Sequence, residues 1–155
     1  MASPLASLLL IAGILSANQF AADVARSGPK PAVQHLVDGG DWGRVMAAIR
    51  SGSADWIALA PDLARGADGP RSSELTVALA AALPVAPSDV LAIVDLRRSP
   101  VLGVQAVCGA PVGSHAPADH AAYVADAKDA VGLLPDVAAA GKAKAQCLKE
   151  LAQAR

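Results

Sequence analysis

Between Asp41 and Leu96 the apolar positions recur at helical spacing, and Gly, Pro, Ser and Asp divide them into four helix-length patterns. Trp42, Val45, Met46 and Ile49 stand at i, i+3, i+4 and i+7, one face of a 3.6-residue period. Asp41 precedes them as an N-cap whose carboxylate accepts from free backbone N–H groups, and Ser51-Gly52 closes the helix. Ser53 is the expected cap of a second helix, where Trp56, Ala60, Leu63 and Ala64 share a face with Ile57 beside them. Pro61 has no backbone donor and is expected to bend or interrupt that helix. Gly66, Asp68, Gly69 and Pro70 make the following turn. In the third pattern Glu74 lies near the start, suiting the positive end of the helix dipole. Leu75, Leu79, Ala82 and Leu83 run along its face, widened by Val77, Ala78 and Ala81. Pro84 and Pro87 break the chain before Ser88, which is placed to cap Asp89 to Leu96. Val90, Leu91, Ile93, Val94 and Leu96 are apolar on almost every side, so that helix is expected to be nearly buried.

Upstream, Leu5 to Leu15 is an uninterrupted stretch of small and apolar residues, the length of a signal-peptide core and short for a membrane span. Ser16, Ala17, Ala21 and Ala22 are small residues that offer cleavage sites. No Lys or Arg precedes the run and no strict A-x-A follows it. A buried N-terminal helix and an uncleaved anchor are the competing readings, since Met1 to Ala22 carries no side-chain charge. Arg26 to Pro31 (RSGPKP) reads as an exposed linker, followed by a short helix from Pro31 to Val37 and the Asp38-Gly39-Gly40 turn. His35 within it reads as a surface or half-buried filler.

Downstream, Arg97 to Pro117 (RRSPVLGVQAVCGAPVGSHAP) is the least regular stretch, its Pro and Gly residues excluding one continuous helix. Val104 to Cys108 is long enough for one turn. Irregular segments of this length are uncommon in compact domains and are often functional. The plainer reading is that it packs its own Val and Leu residues over the core. Pro117 fits the first turn of a further helix, with Tyr123, Ala127, Ala130 and Val131 on one face and Gly132 at its end. Pro135 is expected to open the last helix, with Ala140, Ala143, Cys147 and Leu151 facing inward. Lys142, Lys144, Lys149 and Arg155 read as a solvated face at the favourable end of its dipole.

The pair IALAPDLARG and ALAAALP, joined by an Asp-containing turn, resembles one HEAT-type helical repeat over about thirty residues. The turn lacks the Val-Arg pair that usually opens the second helix of that repeat. More broadly, the DW…I..G…W..LAP.L..G.D helices, the ALAAALP…VL run and VCGAP with a later Cys are similar to small exported proteins of Gram-negative bacteria. That resemblance covers most of the chain after the leader and carries no activity with it.

Composition alters this picture only a little. The chain of 155 residues is 54 % hydrophobic but only 3 % aromatic, because much of the apolar content is Ala. Alanine favours helix strongly and buries little area per side chain, so a covalent crosslink is a sensible supplement. Cys108 and Cys147 are the only cysteines, and an even pair in an oxidising compartment reads as a disulfide. The formal net charge of −1 offers no electrostatic attraction for nucleic acid. Cys108, His115, Asp119 and His120 have the right types for a zinc site, and Cys108 with either His could be read as nucleophile and base. Their irregular spacing matches no established ligand pattern, and a disulfide removes the thiolate. The phosphate-loop, dinucleotide, G-x-S-x-G and H-E-x-x-H motifs are all missing from the sequence. Asp38 with Asp41, and Asp62 with Asp68, are explained by turns and caps.

The expected fold is therefore all-α, a compact stack of about six or seven short antiparallel helices in HEAT-like hairpins, with one Pro/Gly-rich loop and one disulfide. Residues 1–22 are expected to be a signal peptide, 23–31 a linker and 32–155 a single helical domain. The expected function is non-enzymatic binding of another protein in the periplasm or outside the cell, as an adaptor, inhibitor or immunity-type protein. Arg97, Arg98 and His115 are the candidate partner-binding residues, and no catalytic, cofactor or metal site is assigned. A membrane is expected as partner only through an uncleaved leader. The alternative is a small hydrolase or metal-binding protein using the Cys108–His120 region.

Overall fold

The computed structural model describes residues 15–109 and 119–154, without the side chains of 138 and 139. Among these residues it is all-α, with ten helices and no strand. In order they are α1 (Ala17–Ser27), α2 (Pro29–Asp38), α3 (Trp42–Arg50), α4 (Ala54–Ala58), α5 (Ala60–Gly66), α6 (Gly69–Ala82), α7 (Pro87–Ile93), α8 (Val104–Cys108), α9 (His120–Gly132) and α10 (Ala138–Gln153). Three elements beyond the expected six or seven come from α1, from the break at Pro61 that separates α4 from α5, and from the turn at Val104.

The expected linker is helical. Only Gly28, at φ +87°, separates α1 from α2, and Pro29 and Pro31 both fall in the first turn of α2. The first-turn N–H groups have no intrahelical partner, so proline there removes no hydrogen bond. The signal-peptide boundary drawn at Ala22 falls inside α1. That helix starts from a full capping box, Ser16 Oγ accepting from Gln19 N–H and Gln19 Oε1 from Ser16 N–H. Its Phe20 is 1 % exposed, with its ring centroid 5.8 Å from that of Trp56.

The central helices bury the faces that the periodicity marks. Trp42, Val45, Met46 and Ile49 of α3 are all buried, as are Trp56, Ile57, Ala60 and Leu63 of α4 and α5. α3 packs chiefly on α6, and α5 on α2. The second contact depends on Gly66, since a Cβ there would meet the Pro29 carbonyl oxygen and the Val33 side chain. Each large aliphatic side chain taken fully out of water contributes about 1.5–3 kcal/mol, and most of the large ones lie between Phe20 and Leu83. The small residues complete the core, with Ala32, Ala60, Ala78, Ala80, Ala82, Ala127 and Ala143 buried.

Several caps differ from expectation. Neither Asp41 nor Ser53 makes a side-chain capping bond. Asp41 instead pairs with Arg44 at 3.0 Å. α6 begins at Gly69, so Glu74 lies beyond its first turn and accepts from Trp42 Nε1 at 2.6 Å, tying α3 to α6. α7 starts at Pro87 with Ser88 already helical, and it stops at Ile93. Asp119 caps α9 by accepting from Ala122 N–H at 2.9 Å, while Pro117 lies outside the described residues. Pro135 precedes α10, which opens only at Ala138. Lys144 is not a free surface cation. It donates to the Leu134 carbonyl at 2.6 Å and pairs with Asp136 at 2.9 Å, fastening the α9–α10 turn.

Candidate functional site

The helix expected to run to Leu96 ends three residues earlier, and that early end leaves Leu96 exposed. Beyond Ile93 the backbone turns extended, and Asp95 forms a parallel bridge with Gly103. Asp95 N–H donates to Leu102 O at 2.7 Å, and Val104 N–H donates to Asp95 O at 2.9 Å. The residues between close into a short loop, pinned to α6 where the Thr76 hydroxyl donates to Val101 O at 2.9 Å. Arg97 N–H donates to the Asp95 carboxylate at 2.8 Å. This arrangement leaves Leu96, Arg97 and Arg98 exposed in sequence on a backbone that is itself hydrogen-bonded.

Leu96 is 42 % exposed and contributes to the wall of an apolar groove of about 400 Å³ between α7 and α10. Leu91, Ala92 and Val94 line the same side with Ser88, and Ala140 and Ala143 line the other. The alanines keep the α10 wall low. Cys147 lies one turn after Ala143 on the same helix face, and its disulfide to Cys108 fixes that wall to α8. Both sulfur-bearing residues are fully buried, with Val107, Ala127, Val131 and Leu151 in the same core. Val137 (56 % exposed) stands on the chain just before α10 and Leu133 (86 %) just after α9. Among the described residues, three of the four exposed large apolar side chains thus lie at this end, the fourth being Val85 just past α6.

Of the residues singled out from sequence, Arg97 and Arg98 are exposed and follow Leu96 in the chain without themselves lining the groove, while His115 lies outside the described residues. Cys108 and Cys147 are bonded to one another. The alternative chemistry of the Cys108–His120 region loses its thiolate, because the sulfur of Cys108 is neither a free nucleophile nor a free ligand. Asp119 spends its carboxylate on the α9 cap, and His120 is the first residue of that helix. Among the described residues, no three His, Cys, Asp or Glu side chains converge as a metal site. Sequence reasoning missed Leu96 and the alanine wall, since a run apolar on every side signals burial. The one available signal was the Arg-Arg-Ser-Pro that follows, which a buried helix end does not accommodate.

A second polar constellation lies between α1 and α2. His35 Nδ1 is 2.8 Å from Asp23 Oδ2, and Arg26 and Ser27 contact the other oxygen at 2.8 and 3.1 Å. The hydrogen bond from His35, aided by Arg26 and Ser27, holds the Asp23 carboxyl below its usual range. A small pocket of about 70 Å³ adjoins it, lined by Leu15, Phe20, Ala32, Leu36 and Asp41 besides the pair itself. His35 is exposed, and the pair serves to hold two helices together. Tyr123 is the other perturbed group. Burial pushes its phenol above the ordinary range, and the neutral hydroxyl donates to Ala80 O at 2.7 Å, joining α9 to α6.

No family model, curated protein or solved structure matches this chain. Among the described residues, no helix is long and apolar enough to cross a membrane.

Proposed function

We propose that this protein is exported and acts without catalysis, by binding another protein through the α7–α10 groove and the adjoining Arg97–Arg98 loop. The observation that carries the reading is Leu96, a large aliphatic side chain 42 % exposed at an apolar groove and followed by two exposed arginines. Exposed apolar surface flanked by arginine is the usual anatomy of an interface anchor. A periplasmic or extracellular location is supported by the apolar run at Leu5 to Leu15 and by a disulfide that an oxidising compartment permits. Contact with a membrane enters only through a leader that is not removed.

The test is site-specific photo-crosslinking in envelope preparations. A crosslinker in place of Leu96 should yield a discrete adduct that Arg97→Glu with Arg98→Glu abolishes, without lowering the melting temperature. A crosslinker at Lys30, on α2, should give none. Equal yields from both positions would place the binding surface elsewhere or show that there is none.

A further inference from the structure

The apolar run that reads as a leader adjoins α1, and the packing of α1 bears on which small residue could stand before a cut. Ser16, Ala17, Ala21 and Ala22 are the candidates that follow the apolar run. A cut after Ala21 or Ala22 discards Phe20. That ring is 1 % exposed and lies against Trp56, and it lines the same pocket as Ala32 and Leu36 of α2. Its loss opens a hole of side-chain size in the part of the core that α1 and α2 close. Neither product retains enough of α1 to cover it. A cut after Ser16 keeps Phe20 but leaves Ala17, a poor N-cap, at the new helix end. A cut after Ala17 makes Asn18 the first residue, and asparagine is among the best N-caps. The capping box of Ser16 and Gln19 is lost, with the partly buried Leu15 and Ala17, but Phe20 stays in place and Asn18 is of a type that can cap the shortened helix.

We infer that the mature protein begins at Asn18, the leader being removed by a signal-peptidase-type hydrolase at the Ala17–Asn18 bond. This rests on the export reading above. Water is the co-reactant. The Ala17 carbonyl carbon gains its hydroxyl and becomes the carboxylate of the released leader, and the Asn18 nitrogen becomes the new α-ammonium. Ala17 meets the need for a small residue before the scissile bond, and Leu15 occupies the upstream position that an A-x-A site fills with Ala. Residues 18–27 remain as a helix on α2, with Asp23 still bonded to His35.

Intact-mass analysis of protein from the periplasmic fraction should give a chain starting at Asn18. A second measurement compares chains beginning at Ser16, Asn18 and Asp23, each liberated from a cleavable fusion. The first two should melt within a few degrees of each other. The Asp23 chain should melt about 10 °C lower or fail to fold, the shift expected for losing a buried aromatic in a domain of this size. A periplasmic chain starting at Ala22 or Asp23 would overturn the assigned bond while leaving export standing. Full-length protein confined to the cytosol would overturn export, and the cut with it. An Asp23 chain as stable as the Ser16 chain would overturn the structural role given to Phe20, whatever the mass analysis finds.

Discussion

The helices from α1 to α6 and those from α7 to α10 share one core but are held by different means. The first group buries Phe20, Leu36, Trp42, Met46, Ile49, Trp56, Ile57, Leu63, Leu75, Leu79 and Leu83. The second buries mostly smaller side chains, among them Val90, Val104, Val107, Val124 and Val131, with Tyr123 its only aromatic and Leu91 and Leu151 its large aliphatics. It adds the Cys108–Cys147 disulfide, and it leaves Leu96, Leu133 and Val137 exposed. Where large side chains fill the space, no crosslink is needed and little apolar surface remains. Where alanine and valine do the filling, the covalent bond ties α10 to α8, and a groove remains between α10 and α7. In the account proposed here, the well-filled half provides stability and the stapled half provides the surface for a partner.

The contrast can be broken from either side. Trp56→Ala should have the largest effect, a loss of about 3–5 kcal/mol in chemical denaturation, because its ring is the partner of Phe20 across α1 and α4. A loss below about 1 kcal/mol would show that the first half does not depend on its aromatics. Replacing Cys108 and Cys147 together by Ser should cost up to about 4 kcal/mol, the chain-entropy value for a separation of 39 residues. The non-reduced wild-type protein should correspondingly show no free thiol by titration. Gly66→Ala should destabilise by about 1–3 kcal/mol, because the added methyl meets the Pro29 carbonyl and Val33 at the α2–α5 contact. Gly132→Ala, at a position with open space around it, should leave the melting temperature almost unchanged and serve as the control.

The smallest effect concerns Asp23. Its carboxyl is held below the usual range in the folded protein, so its stabilisation is present above the unfolded-state value and disappears as pH falls through the folded one. The difference in melting temperature between wild type and Asp23→Asn should therefore be measurable at pH 6 and should shrink as pH falls below the ordinary carboxylate range. An exposed pair of this kind moves the melting temperature by only a few degrees at most. A difference that does not change at all on acidification would mean that Asp23 acts through packing instead of charge.

The two halves also differ in how far the sequence announces them. The faces of α3, α5 and α6 are legible because a periodic row of Trp, Met, Ile and Leu has one sensible place to go, and the structure buries them. Pro61 stops a helix where its missing donor requires. The disulfide is legible from the even count of the cysteines together with the oxidising compartment expected from the apolar N-terminal run. α1 was hidden because the small and apolar residues of a leader and those of a buried amphipathic helix look alike until tertiary contact distinguishes them. The prolines at 29 and 31 suggested a linker, although each is harmless in a first turn. The groove was illegible for a different reason. It depends on where α7 stops and how low the alanines of α10 stand, and these are properties of two segments about fifty residues apart.

The disulfide is expected to order the α7–α10 end while the α3–α6 core stands without it. Amide hydrogen exchange on the oxidised protein and on the Cys108→Ser, Cys147→Ser variant measures this directly, under conditions where both remain folded. Protection should fall in α8, in α10 and across residues 95–103, where the Asp95 and Val104 amides make the bridge. It should be retained in α3 and α6. Equal loss of protection in α3, α6 and α10 would contradict the account, since it would show one cooperative unit with no division between a filled half and a stapled one.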